Sequence, residues 1–277
     1  MRWAQVARIA TLWVGVAAAR ASAQNAAPLP EGNAYVRGVL TGARPQDGAI
    51  NDYTYDLEET RENLDKNGKT TSRESLAYEV YFVGGRPVRR LVSRNGVPLP
   101  TREQAEVDKK AAARAAAITG GRTVNEQPGI RLSSLLNSFE FKTVGREERE
   151  GRKTLVFEFE PRKTQDSKAS SDRASDAVTR ILTGRVHIDE ADRRVVELDA
   201  RNAAGQRARV AAGVNLGRFE LRMEFASVEN QVWLPRKVVT LATGRAFLFK
   251  TFRVRQTTRY SNYRRFKVQT EEKTVPR

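Results

Sequence analysis

Few residues in this chain could do chemistry. It holds one histidine, His187, and no cysteine. With no second histidine and no thiolate beside it, His187 cannot complete a zinc site of the nitrogen and sulfur type, and no thiol nucleophile or disulfide is available. Nor does it anchor a Ser-His-Asp triad, because no Gly-x-Ser-x-Gly elbow exists to offer a serine. The adjacent acids Glu58-Glu59 and Glu147-Glu148 fall in segments read as strands. Successive side chains of a strand point to opposite faces, so the two carboxylates of a pair cannot converge on one substrate. No Gly-rich phosphate loop and no dinucleotide fingerprint is present. The inventory leads us to expect no metal, no cofactor and no catalysis.

Charge says more. Lys and Arg number 49 against 33 Asp and Glu, a formal net charge of +16. Such a chain is drawn to anionic surfaces, phospholipid headgroups among them, or uses the charge for solubility alone. Two basic clusters, Arg86-Arg89-Arg90 and Arg259-Arg264-Arg265-Lys267, are interleaved with Tyr260, Tyr263 and Phe266. Such mixing suits a membrane surface or another anionic partner docked by a structural or interaction protein of the envelope, and it equally suits strand edges blunted by charge, the reading we favour.

The first two dozen residues set the compartment. Arg2 and Arg8 precede an apolar run from Ile9 to Ala19, and Ala21-Ser22-Ala23 is a small-x-small site before Gln24. This pattern predicts a signal peptide over 1–23, removed after Ala23. The run ends at Arg20, short of the roughly 20 apolar residues that span a bilayer. An exported chain without cysteine fits a bacterial periplasm better than a disulfide-stapled secretome. Export also makes nucleic acid an improbable partner.

The elements follow from periodicity. Residues 24–50, rich in Ala, Pro and Gly, have no clear period and are expected to be a flexible segment. From Tyr53 the chain alternates: Tyr53, Tyr55 and Leu57 on one face, then Tyr78, Val80 and Phe82, then Val88 to Ser93 ending at Asn95-Gly96, a strong hairpin signal. Thr101-Arg-Glu-Gln104 has the form of a capping box and opens an Ala-rich helix to Ile118, stopped by Gly120-Gly121. Leu132, Leu135, Leu136 and Phe139 have the spacing of a second, short helix. Strands then resume: Leu155, Phe157 and Phe159; Gly184 to Asp189; Arg194 to Leu198; Phe219, Leu221, Met223 and Phe225; Trp233 to Leu241; Phe247 to Val254; and Tyr260 to Val268. The fold class expected is mainly β: one curled antiparallel sheet of about ten strands, a half-barrel, with two helices as a lid over residues 51–277.

A curled sheet covered by helices either packs its inner face as core or leaves a cavity for an apolar ligand. The residues that would line such a cavity are Tyr78, Val80, Phe82, Leu155, Phe157, Phe159, Phe219, Leu221, Met223, Phe225 and Trp233.

The order meander, helices, long run of strands, together with Gly184-Arg-Val-His-Ile-Asp189, Arg194-Val-Val-Glu-Leu198 and Val232-Trp-Leu-Pro-Arg236, resembles the LolA-like periplasmic lipoprotein carriers and outer-membrane lipoprotein-sorting proteins. The resemblance covers about Asn51 to Phe266. It implies a half-barrel with a helical lid over a hydrophobic cavity, a lipid, acyl chain or lipoprotein as ligand, and no catalysis. An anionic membrane surface is the second expected partner.

Overall fold

The computed structural model describes residues 27–41, 46–122, 124, 131–162, 173–229, 232–247 and 250–265. The expected signal peptide lies outside them. Two units are distinguished, Met1–Pro30 and Glu31–Arg277, and the second holds the fold.

The alternation starting at Tyr53 forms β1 (Tyr53–Leu64), with Tyr53, Tyr55 and Leu57 buried on one face. It continues as a meander through β2 (Thr70–Val83) and β3 (Arg86–Arg94). Asn95 and Gly96 both take positive φ, 51° and 77°, as a two-residue hairpin turn demands, and β4 (Val97–Pro98) follows. After helix α3 (Thr101–Thr119), to which we return, come β5 (Phe139–Arg149), β6 (Arg152–Pro161), β7 (Leu182–Asp189) and β8 (Val195–Asn202). The set ends with β9 (Ala208–Ala211), β10 (Val214–Val228), β11 (Val232–Ala246) and β12 (Lys250–Arg265).

All twelve strands join one antiparallel sheet in the order β4-β3-β2-β1-β12-β11-β10-β8-β7-β6-β5, with β9 paired to β10 alone. Register shifts place an extra residue in β2, β3, β5, β8, β10, β11 and β12, irregularities that let the sheet curl. Its two edges, β4 and β5, do not meet, so this is a half-barrel. The count exceeds the expected ten because β4 and β9 are too short to show a period of two, and because β5 begins inside the segment read as the second helix. The last strands also divide differently. Phe247 stands in a turn at φ 48°, and β12 runs on from Lys250 to Arg265 as one strand.

The helices depart further from expectation. The segment read as flexible carries α1 (Gly32–Leu40), α2 (Gln46–Ala49) and a 3₁₀ turn (Ile50–Asp52). Side-chain-to-backbone bonds hold it, and hydrophobic periodicity does not report those. Glu31 caps α1 by accepting from the Asn33 and Ala34 amides at 3.0 and 2.6 Å. Asn33 Oδ1 accepts from the Phe141 amide at 2.8 Å, tying α1 to edge strand β5. Gln46 pairs with both backbone groups of Val195, and Asp47 caps α4 (Leu132–Leu136) through the Leu132 and Ser133 amides. The short helix expected through Phe139 ends at Leu136, and Phe139 opens β5 instead.

The two helices expected as a lid lie on opposite faces of the sheet. Val36 and Val39 of α1 with Leu132 and Leu136 of α4 pack on the apolar face, against Phe157, Val186, Leu198 and Met223. α3 lies against β3 on the face that carries Glu79 and Arg90, where Arg90 bonds Glu79 and Asp108 at 2.9 Å each. The stretch before β7 keeps one short helix, α5 (Arg173–Thr179).

Candidate functional site

The strand register sorts the eleven expected lining residues into two groups. Leu155, Phe157, Phe159, Leu221, Met223, Phe225 and Trp233 are buried together in the main core beneath α1 and α4, and Phe219 packs against its margin. Tyr35 of α1 stacks on Phe157 with ring centres 5.5 Å apart, so the helix seals that stretch directly. Tyr78, Val80 and Phe82 belong to a second cluster around Tyr55 and Leu57, joined by Ile50, Tyr260 and Tyr263. Burial raises Tyr55 and Tyr263 far above the ordinary phenol range, as rings sunk into an apolar cluster require.

Between the two clusters the apolar face is left thinly covered. Val238 and Thr240 of β11, with Val254 and Thr258 of β12, are only half-buried. Polar groups share this face: Gln256 beside Thr240 and Arg61 beside Gln256 are exposed, Glu59 accepts from Arg89 at 2.9 Å, and Arg89 lies 5.9 Å from the Tyr78 ring centre. We call the arrangement a trough: a thinly covered strip of valine and threonine methyls edged by polar groups toward β1 and β3. It could take a chain with a polar end.

A second concavity lies on the opposite, charged face. Lys142, Glu158, Arg185, Asp199, Arg222 and Val239 stand side by side across six strands and flank a cleft of about 1170 Å³. Their charges alternate and pair. Arg185 bonds Glu158 at 2.8 Å, and Arg222 reaches Glu197 at 3.0 Å and Glu224 at 3.3 Å. Arg185–Glu158 is exposed on both sides and contributes about 0–1 kcal/mol, whereas Glu197 and Glu224 are largely buried beneath Arg222, so the row is a ladder whose charges answer one another.

His187 lies under this ladder, 2% exposed. Its Nε2 is 3.1 Å from the Arg149 guanidinium and 3.4 Å from Glu147, and its Nδ1 has no partner. Burial, then Arg149, holds its pKa below the ordinary imidazole value, so the ring is neutral and Nε2 accepts. Among the described residues no group of three or more His, Cys, Asp or Glu could hold a metal. Asp199 moves the other way: burial first, then a hydrogen bond shared with Glu197, pushes it up to about 6 against the pull of Arg222. The sequence reading found His187 but missed Arg149, Glu197, Asp199 and Arg222 around it. Their only signal was charge at alternate positions of neighbouring strands.

The two shifts oppose each other in stability. Asp199 holds its proton more tightly folded, so its contribution is present below about pH 3.9 and lost as pH rises through about 6. His187 contributes above about pH 6.5 and loses that as pH falls through its depressed folded value. Asp199→Asn should therefore leave a stability that climbs more steeply than the parent chain's as pH rises toward about 6.5. Urea denaturation across that range checks it, and an unchanged profile would remove Asp199 from the account.

No protein-family model matches this chain, and no curated protein does. Solved structures do resemble it in fold. They include an outer membrane lipoprotein-sorting protein domain from Vibrio parahaemolyticus, at 13% identity and TM-score 0.41, over 87% of this chain and 94% of that one. A LolA superfamily protein from Nitrosomonas europaea follows at 9% identity and TM-score 0.37, covering 87% and 96%. A DUF1329 family protein from Desulfovibrio piger stands at 10% identity and TM-score 0.37, covering 84% and 92%. The first two carry the name of the family that the sequence resembles. At these scores the likeness is one of general architecture, and the functional reading rests on the trough itself.

Proposed function

We propose that this chain is an exported, non-catalytic binding protein that carries a hydrophobic or lipidated ligand in the bacterial cell envelope. One observation supports this above others: the apolar face of the open sheet breaks into separate clusters with half-buried Val238, Thr240, Val254 and Thr258 between them. A continuous core would have buried that stretch. An acyl chain lying there would remove a few hundred Å² of apolar surface from water, at about 25 cal/mol per Å². That is enough for binding after ordering costs. The Glu59–Arg89 pair stands where a polar head would follow. Removal of residues 1–23 on export and a periplasmic location belong to the same proposal. The residues that would meet the ligand are those at the trough, with Tyr78 at its rim; the remaining lining candidates serve it as packed support.

The test uses Trp233, because Trp3 and Trp13 fall in the leader. Titration of the mature chain with a fatty acid or a lipopeptide should saturate and shift tryptophan emission. Thr240→Glu and Val254→Glu, at half-buried positions, should keep the fold and weaken binding more than about tenfold. Organic extraction of the purified protein followed by mass spectrometry should release an acylated species. No extractable lipid together with no saturable titration overturns the proposal.

A further inference from the structure

Among the described residues the most exposed large apolar side chain lies at one end of the sheet, beyond the Val254 end of the trough. Phe247, in the turn between β11 and β12, is 74% exposed. It is also held in place. Its amide donates to the Gly213 carbonyl at 2.8 Å, its φ is 48°, and a Cβ on Gly213 would lie 3.2 Å from the ring, which therefore rests over that glycine.

The strand register brings other turns to the same end. Val214 of β10 pairs Ala246, and Asn63 of β1 pairs Val254, so the β9–β10 and β1–β2 turns flank the β11–β12 turn. Arg253 fixes the neighbour by donating to the Asp65 and Lys66 carbonyls at 3.0 and 2.6 Å. The six cations Lys66, Lys69, Arg207, Arg209, Arg245 and Lys250 all stand exposed at this end. Two of the acids close by are already paired with cations, and a third is turned into its own loop. Glu62 pairs with Arg255, Glu220 with Arg218, and Asp65 accepts from the Asn67 and Lys69 amides of its own turn. The basic clusters noticed in the sequence differ in this respect: Arg89 and Arg90 face Glu59, Glu79 and Asp108, while Arg259 and Arg264 face Glu58 and Asp56.

We infer that this end of the sheet docks on an anionic phospholipid surface, with Phe247 entering the headgroup boundary and the six cations around it attracting the lipid charge. An isolated exposed phenylalanine or a basic rim alone would be unremarkable. Their combination at one end, with the ring fixed outward, matches an interface that is apolar at its centre and cationic around it. The surface is independent of what the trough holds.

Vesicle flotation of the mature chain tests this with phosphatidylglycerol–phosphatidylcholine and with phosphatidylcholine alone. Binding should require the anionic lipid and fall with salt. Arg245→Glu/Lys250→Glu should weaken it more than about tenfold, since each juxtamembrane cation is worth about a fivefold factor. Phe247→Ser should weaken it severalfold, and Arg265→Glu, at the opposite end of β12, should not. Because the chain lacks cysteine, Phe247→Cys carries a single environment-sensitive dye whose emission should move to the blue on anionic vesicles. Salt-sensitive binding that ignores Phe247 would mean simple attraction to any polyanion and overturns the proposal. So would equal losses at Arg265, or lipid-free dimerisation that buries the dye.

Discussion

Gly184→Ala should destabilise the protein by more than about 4 kcal/mol, enough to leave it unfolded or insoluble on expression. Gly184 lies in β7 between β6 and β8, and a Cβ there would meet the Asp199 carbonyl oxygen and stand 2.8 Å from the Phe159 ring and 2.9 Å from the Ala200 Cα. The first and last of these are backbone atoms and cannot rotate away. Relief requires β7 and β8 to part in the middle of the sheet, beside the buried Phe157, Val186 and Leu198. Thermal unfolding by circular dichroism decides the matter. A variant melting within about 4 °C of the parent, the span of roughly 1 kcal/mol in a chain this size, would show that the close approach is not tight.

Leu221→Glu should be nearly as severe, about 3–5 kcal/mol. Leu221 is 2% exposed within the main core, between Ala200 of β8 and Thr240 of β11. A carboxylate there has no partner and must either stay charged in an apolar site or take a proton. Its folded pKa would rise above the unfolded value near 4.3. The penalty should accordingly shrink at acid pH and be complete near neutrality. Denaturation at about pH 4 and 7 measures both parts. A stable variant with a flat pH response would place Leu221 in an opening rather than in the core, which would extend the ligand trough across β10.

Most of the sheet was legible because its strands are half-buried and alternate. Phe219, Leu221, Met223 and Phe225 against Glu220, Arg222 and Glu224 state both the strand and its two faces, and Asn95-Gly96 states its turn. What escaped the sequence has physical causes of three kinds. The leading helices α1 and α2 are fixed by Asn33, Gln46 and Asp47 through bonds to distant backbone, and no local period records a bond across roughly a hundred residues or more. The position of α3 could not be foreseen. Its face is mostly alanine, with Ala111 its one buried residue among those described, and such a face suits either side of a sheet. The candidate site was legible by residue type but not by role. Phe157 and Val80 look alike as inward apolar residues, and only strand order separates them into different clusters, with the trough falling at less conspicuous positions such as Thr240 and Val254.

The seam between β1 and β12 has a bearing on assembly. Strands near the start and end of the chain lie side by side, Leu57 opposite Tyr260 and Asn63 opposite Val254, and Asn262 donates to Asp56 across 206 positions of sequence. Until β12 has been delivered, the meander β1–β4 and the run β5–β11 share no strand pairing, and each presents a long open margin. Contacts this remote form late and make folding slow. During folding the chain therefore passes through a period in which two half-sheets wait with unpaired edges, the state most exposed to wrong pairing with other chains. The charges on Arg255, Arg259, Glu58 and Glu62 lie along that future seam. They keep its margins soluble during the wait and set the register when the two halves meet.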